Sequence, residues 1–274
     1  MTRPFDFEGR TAVITGAASG IGAAIAGNLA KRGCHLALAD INADGLKAVA
    51  GEIAREGVRI TTTQLDVADL ADIDGYARQV EAEHGETHFL FNNAGVALGG
   101  NFEDIAPDDF EWLFQINFWG VVRMTRAFLP ILQRADAAQI INISSLFGIV
   151  APAGQTAYCA SKFAVRGFSD SLRHELTGTS VGVTTVHPGG VNTMIAEDAR
   201  MPAGTTSEQR AAGMKQAARL LVMPPDNAAQ IILRGVERRK SRVLVGRDAH
   251  MMALLERCFP AHYWSFLRTK TGAV

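Results

Sequence analysis

Cysteine is scarce. Cys34, Cys159 and Cys258 are odd in number and far apart, which excludes a disulfide framework and a CxxC metal knuckle. A reducing compartment follows, and the cytoplasm is the expected location. Excess charge is missing too: 27 Lys and Arg stand against 28 Asp and Glu. No polybasic field is available for nucleic acid or an anionic membrane. No uninterrupted apolar run reaches the length of about 18 residues that a spanning helix needs, so no membrane insertion is expected. The opening MTRPFDFEGR lacks an apolar stretch, so no secretory signal is expected. The histidines His35, His84, His88, His174, His187, His250 and His262 form no HExxH and no Cys/His cluster. No metal is expected.

What is present is a chain of 274 residues with 47% hydrophobic content, enough for one packed core and too apolar for disorder. Strand-like runs at 11–15, 35–39, 60–65, 88–92, 139–143, 181–186 and 242–245 alternate with amphipathic stretches at 21–32, 43–56, 69–83 and 107–133. Several strand runs are continuously apolar, as strands covered on both faces are. Strand–helix alternation implies parallel pairing through right-handed crossovers. The expected fold is α/β, a doubly wound Rossmann-type seven-stranded parallel sheet with helices on both faces. One domain over 1–274 is expected. Residues 189–225 read as an irregular substrate lid at the carboxyl edge, and 248–274 as an aromatic-rich C-terminal extension that covers the substrate entrance or a neighbouring subunit.

The first strand runs into Gly16-Ala17-Ala18-Ser19-Gly20-Ile21-Gly22 at the start of a helix. Gly16 permits a tight turn, Gly20 lets backbone approach a pyrophosphate, and Gly22 lets the helix pack on the strand. The helix N-terminus then offers amides and a positive dipole end to phosphate. Asp40 closes the second strand, where an acid reads adenosine ribose hydroxyls and repels a 2′-phosphate. With no Lys or Arg in the turn and Ile41 next to Asp40, the expected cofactor is NAD rather than NADP. The alternative role for Asp40 is to cap the following helix, which Asn42 and Asp44 could also do. Asp66 and Val67 follow the third strand, near the adenine, or at a turn.

Tyr158 and Lys162 lie four residues apart at the start of a long helix, on one face. A nearby ammonium stabilises a phenolate, so Tyr158 is a candidate acid or base and Lys162 its tuning charge. Ser145 ends the fifth strand 13 residues earlier and can bond the same substrate oxygen; Ser144 competes for that role. Asn117 lies 28 residues before Ser145. Cys159 and His187 read as packing residues.

With these motifs in order, together with Asn92-Asn93-Ala94-Gly95 and Pro188-Gly189-Gly190-Val191-Asn192-Thr193, the chain resembles the short-chain dehydrogenase/reductase family over about residues 10–195. The resemblance implies that Tyr158 is the general acid or base and that Ser145 orients the reacting oxygen. Lys162 holds the nicotinamide ribose and lowers the Tyr158 pKa, and Asn117 keeps a water in a proton relay. Asn93, Ala94 and Gly95 shape the cofactor floor, while Pro188, Gly189, Val191 and Thr193 flank the nicotinamide. It further implies a homotetramer or homodimer through helices near 121–133 and 155–176. The reaction implied is interconversion of a secondary alcohol and a ketone. Leu98, Leu146, Phe147, Ala153, Met194 and Met201 point to a hydrophobic or cyclic substrate. Rival readings are a regulatory NAD-binding protein without chemistry, a methyltransferase-like domain, which gives no reason for the Ser–Tyr–Lys spacing, and an isomerase or dehydratase with tightly held NAD, which usually carries a larger substrate domain.

Overall fold

The computed structural model describes residues 5–265. Its strands are β1 (Thr11–Thr15), β2 (His35–Asp40), β3 (Ile60–Gln64), β4 (Phe89–Asn92), β5 (Ala138–Ile143), β6 (Val181–Pro188) and β7 (Arg242–Val245). They pair in parallel in the order β3-β2-β1-β4-β5-β6-β7. Helices α1 (Gly20–Ala30), α2 (Ala43–Ile53), α3 (Leu70–His84), α4 (Pro107–Phe114), α5 (Gly120–Arg134), α6 (Thr156–Glu175), α7 (Ser207–Leu220), α8 (Pro225–Glu237) and α9 (Arg247–Cys258) complete the described residues, with short 3-10 turns between some of them. The fold is the doubly wound sheet that the alternation predicts.

The near-continuous apolar strands have a direct cause. Ala12, Ile14, Phe89, Phe91, Ile141 and Ile143 pack on one face with Ile25 and Leu29 of α1 and Ile232 and Leu233 of α8. Val13, Leu90, Ala138 and Ile140 point to the other face, among Ile73, Val80, Phe128, Leu132 and Leu172. Alternate residues of each strand therefore meet different helix layers, and neither face can be polar. Strand order reverses between β1 and β4, which opens a crevice above their carboxyl ends.

Two stretches depart from the sequence expectation. The helical run at 107–133 is interrupted: Gln115–Trp119 forms a π-helical turn between α4 and α5. The segment 189–225 is not irregular throughout, because it contains α7, 14 residues long and without a buried residue. Its start was legible: Thr206 accepts from the Gln209 amide at 3.2 Å while the Gln209 side chain accepts from the Thr206 amide at 2.9 Å. That is the reciprocal box a Thr-x-x-Gln pattern announces.

Candidate active site

The glycine turn is held by its neighbour strand. Gly16 takes φ of +65°, a conformation that glycine adopts without strain. Asn93 Nδ2 donates to the carbonyls of Thr15 and Gly16, both at 3.0 Å. The Asn93 and Ala94 amides donate to Thr15 Oγ1 at 3.0 and 3.1 Å. A Cβ on Gly22 would overlap the Gly16 carbonyl oxygen, so the first turn of α1 lies directly on the loop. Extended Ser19 precedes α1 and is exposed, and Ile21 follows Gly20 in the first turn. The first-turn amides lack helical partners by geometry. No side chain larger than Ser19 projects from residues 17–19. The cradle therefore suits a diphosphate.

Asp40 does not cap α2. Asn42 does, accepting from the Gly45 amide at 3.0 Å. The Asp40 carboxylate instead accepts from the Ala18 amide at 3.0 Å and the Asn42 amide at 2.9 Å, which fixes an acid at the lip of the cradle. Asp66 accepts from the Ala68 amide at 2.8 Å and so forms the turn that spacing allowed. Val67 is buried, against the position a Cβ on Gly120 would take.

Across the crevice, Ser144 and Ser145 take different tasks. Ser144 is 3% exposed and donates to the Lys162 carbonyl at 2.9 Å, tying strand end to helix. Ser145 accepts from the Phe147 amide at 3.1 Å, and its hydroxyl is near enough to the Tyr158 phenol to pull its pKa down. Ser144 is thus committed to the helix, while the Ser145 hydroxyl remains on the Tyr158 side. Tyr158 is half-buried, packed beside the cluster of Leu98, Ile105, Leu113 and Ala157, with the Phe147 ring edge-on at 6.2 Å.

Lys162 is buried. Its Nζ donates to the Ile143 carbonyl at 3.2 Å and stands 5.7 Å from the centre of the Tyr158 ring. Desolvation pushes the amine down to about 8. Desolvation likewise pushes the Tyr158 phenol up to about 12, with the Ser145 hydrogen bond pulling the other way. Burial is thus the largest influence on both groups and disfavours the charged form of each.

Asn117 sits in the π-helical turn, fully buried. Its Oδ1 accepts from the Val96 amide at 2.8 Å, and its Nδ2 donates to the Val96 carbonyl at 3.0 Å and to Ser161 Oγ at 3.2 Å. The side chain thereby ties the Val96 backbone to Ser161 of α6. Gly95 lies between Asn117 and Lys162: a Cβ there would sit 3.1 Å from Asn117 Oδ1 and 3.3 Å from Lys162 Nζ.

Pro188 ends β6, and the chain beyond it closes the crevice. The Gly190 amide donates to Asp248 of α9 at 2.7 Å, and the Val191 amide to the Gly189 carbonyl at 2.9 Å. The Val191 amide is thereby engaged, and Val191 is buried. Thr193 faces the glycine turn, its Cγ2 3.0 Å from where a Cβ on Gly20 would be. The two ends of 189–225 are stitched together, Asn192 N to Met223 O at 2.8 Å and Met223 N to Gly190 O at 2.9 Å. The first half is pinned by Arg200, whose backbone pairs with residues 97 and 99 and whose guanidinium lies over Trp112 and on Asp109.

Of the residues expected to form an apolar pocket, Leu98 is core at 1% exposed, whereas Met194 is half exposed. Leu146 and Phe147 are half-buried, Ala153 is exposed, and Met201 Sδ packs where a Cβ on Gly99 would be. Within the aromatic C-terminal extension, Tyr263 accepts from the Ala151 amide at 2.9 Å. It bridges the C-terminal segment to the loop between Ser145 and Tyr158. The rest of that aromatic segment from residue 266 lies outside the described residues. Cys159 is buried, and desolvation pushes its thiol up to about 12, which suits packing.

A glycine-turn cradle at the sheet's switch point, with a Ser–Tyr–Lys group across the crevice, is the arrangement of a dinucleotide-dependent oxidoreductase. Residues 10–203 match the short chain dehydrogenase family model, and the chain belongs to that family. It is 41% identical over 259 residues to "Putative oxidoreductase SadH" of Mycobacterium tuberculosis, covering 94% of this chain and 93% of that protein. A short-chain dehydrogenase/reductase from Burkholderia phymatum in complex with NAD superposes with a TM-score of 0.86, at 31% identity over 93% of this chain and 95% of the other. A metagenomic short-chain oxidoreductase in complex with NADP gives 0.72, at 30% identity over 88% and 98%.

Proposed function

We propose that the protein interconverts a hydrophobic secondary alcohol and its ketone with NAD. The observation that carries the reading is the convergence of Ser145, Tyr158 and Lys162 on one crevice, opposite the cradle of Gly16, Ser19, Gly20, Ile21 and Gly22. NAD over NADP rests on Asp40, held at the lip by two backbone amides, where a 2′-phosphate would meet a carboxylate. When bound, the dinucleotide supplies the hydride acceptor or donor.

The chain's own residues supply the proton chemistry. In oxidation the Tyr158 phenolate takes the alcohol proton and becomes the phenol, and in reduction the phenol gives that proton back. Ser145 donates to the same oxygen and stabilises the charge that develops there. Lys162, already desolvated, holds ribose hydroxyls and supplies positive charge near Tyr158. Asn117 fixes the Val96 backbone, Asn93 and Ala94 lock the glycine turn, and Gly95 leaves room for Lys162. Thr193, on the rim, meets the nicotinamide end beside Pro188, Gly189 and Val191, and Asp66 and Val67 border the adenine end. Residues 189–225 act as the lid over one domain. Exposed Trp119 and Phe163, 44% and 38% accessible, are the apolar surface through which a homodimer or homotetramer would form. The cytoplasm is the proposed site of action.

The test is a panel of alcohols and ketones, from cyclic and long-chain secondary alcohols to small hydroxy acids and sugars, with NAD and NADP in parallel. Fastest turnover on an apolar secondary alcohol with NAD is expected. Loss of that turnover in Tyr158→Phe excludes a contaminant. Best turnover on charged hydroxy acids or sugars overturns the substrate class, and no turnover on any member overturns the enzymatic reading.

A further inference from the structure

We propose that His187 is a positioning residue that holds Ser145 in register with Tyr158. The inference rests on the reading of Ser145 and Tyr158 as the proton-transfer pair. His187 lies near the end of β6, the strand beside β5, and none of it is exposed. Its Nδ1 is 2.9 Å from the Ser145 carbonyl oxygen. A carbonyl only accepts, so Nδ1 carries the proton. Nε2 is then a bare lone pair, and it is buried without a hydrogen-bond partner. An orphaned polar atom of this kind is costly, and a purely structural position would be filled more cheaply by Leu or Phe. What the imidazole provides is the one bond it makes.

That bond meets the catalytic turn at its pivot. The Ser145 carbonyl also accepts from the Gly148 amide at 2.9 Å. The Gly148 carbonyl, at the other end of the turn, accepts from Arg166 of α6 at 3.3 Å. Ser144, one residue back, is tied to the Lys162 carbonyl. The turn is therefore fixed from β6 by His187 and from α6 by Arg166. His187 and the Gly148 amide both hold the Ser145 carbonyl, but only His187 ties it to the neighbouring strand β6, so losing that bond lets the turn that carries the serine Oγ shift relative to Tyr158. Burial holds the ring neutral, down to about 4, despite Asp170 nearby, so the donor stays on one nitrogen across the working pH range.

Two amide variants separate the roles. In His187→Asn the amide nitrogen is bonded to Cγ, as Nδ1 is, and can donate to Ser145. In His187→Gln it lies one atom further out, near the place of Nε2, and cannot. The first readout needs no substrate. With NAD bound, the ionisation midpoint of Tyr158 is taken from the near-ultraviolet phenolate signal that Tyr158→Phe removes. The second readout is kcat and KM for the fastest alcohol of the panel. His187→Gln is expected to raise the Tyr158 midpoint as Ser145→Ala does and to lower kcat by about 10- to 100-fold, with KM changed less than about threefold. His187→Asn restores most of both. In the Ser145→Ala background, His187→Gln adds little, because the group it positions is gone.

Equal losses in Asn and Gln, an unmoved Tyr158 midpoint in Gln, or fully additive losses with Ser145→Ala would each overturn the inference. If Ser145→Ala itself leaves the midpoint and kcat unchanged, the parent reading of the pair fails instead. Should His187→Gln not fold, the Asn variant measured against Ser145→Ala and their double variant decides the matter.

Discussion

Replacing Lys162 with Met is expected to stabilise the cofactor-free protein at neutral pH while removing most of its activity. The lysine is 4% exposed, and desolvation brings its amine from 10.5 to about 8. Between those values the unfolded chain binds a proton that the folded chain does not. Stability therefore rises with pH through this window, and below about 8 the folded protein carries the full cost of burying the charge. The gap corresponds to on the order of 3 kcal/mol. Against it stands the lost bond from Nζ to the Ile143 carbonyl, about 1 kcal/mol. Methionine keeps most of the apolar stem, so packing changes little. The net gain is on the order of 1–2 kcal/mol near pH 7, a rise in Tm of roughly 3–6 °C for a chain of this size.

The assay is urea unfolding of both cofactor-free proteins at one protein concentration, from about pH 7 to about 9.5. The window stops there because Tyr158 titrates at about 12 when folded against 10 when exposed, which lowers the stability of both proteins above about pH 10. The advantage of Lys162→Met is expected to be largest at the acidic end and to shrink as pH rises. Parallel pH dependences, or a variant less stable at pH 7, would refute the claim that desolvation dominates at this lysine. Turnover should fall by about 100-fold or more, so the stabilised protein is also the impaired one.

Gly22→Ala puts a methyl group on the Gly16 carbonyl oxygen and within 2.6 Å of Asn93 Nδ2; a loss of about 2–4 kcal/mol in urea unfolding and no detectable NADH binding by fluorescence are expected. Asp40→Ser removes the carboxylate from the cradle lip, and the ratio of kcat/KM with NAD to that with NADP should fall by about 10-fold or more; an unchanged ratio would mean that Asp40 serves only the loop amides. Tyr263→Phe loses the bond to Ala151. Stability should drop by about 1 kcal/mol, with KM for the alcohol raised and NADH affinity unchanged; a shift in NADH affinity would place the segment elsewhere.

The fold was legible because burying both sheet faces leaves a signature that short windows preserve. Phe89, Leu90 and Phe91 cannot alternate with polar residues when each faces a different helix layer. The glycine turn was legible for a related reason: only glycine avoids overlap at Gly22 and takes positive φ at Gly16 without strain. Partners distant in sequence were not. Nothing around Asn93 shows that its amide spans to the carbonyls of Thr15 and Gly16, and nothing in the spacing of Ser144 and Ser145 reveals which of them reaches the Lys162 carbonyl. The sign of the net effect on Tyr158 was also hidden, since an ammonium one helical turn away shows in the sequence while the water excluded around both groups does not.

Asn117 shows the limit most sharply. In a regular helix from Pro107 to Arg134 each residue turns by about 100°, and apolar periodicity predicts one uninterrupted stripe. The π-helical turn at Gln115–Trp119 inserts one extra residue into that stripe, so α4 and α5 present different registers to the core. Leu113 of α4 packs with Leu98 and Ala157, whereas Met124 and Phe128 of α5 pack under the sheet. The insertion aims Asn117 inward, where its amide pairs with both backbone groups of Val96. Asparagine is disfavoured in a helix interior, and π-turns are frequent at functional sites. The irregularity therefore belongs to the crevice rather than to the core. A polar residue standing in an otherwise apolar helical stripe is the sequence signal that could have announced it.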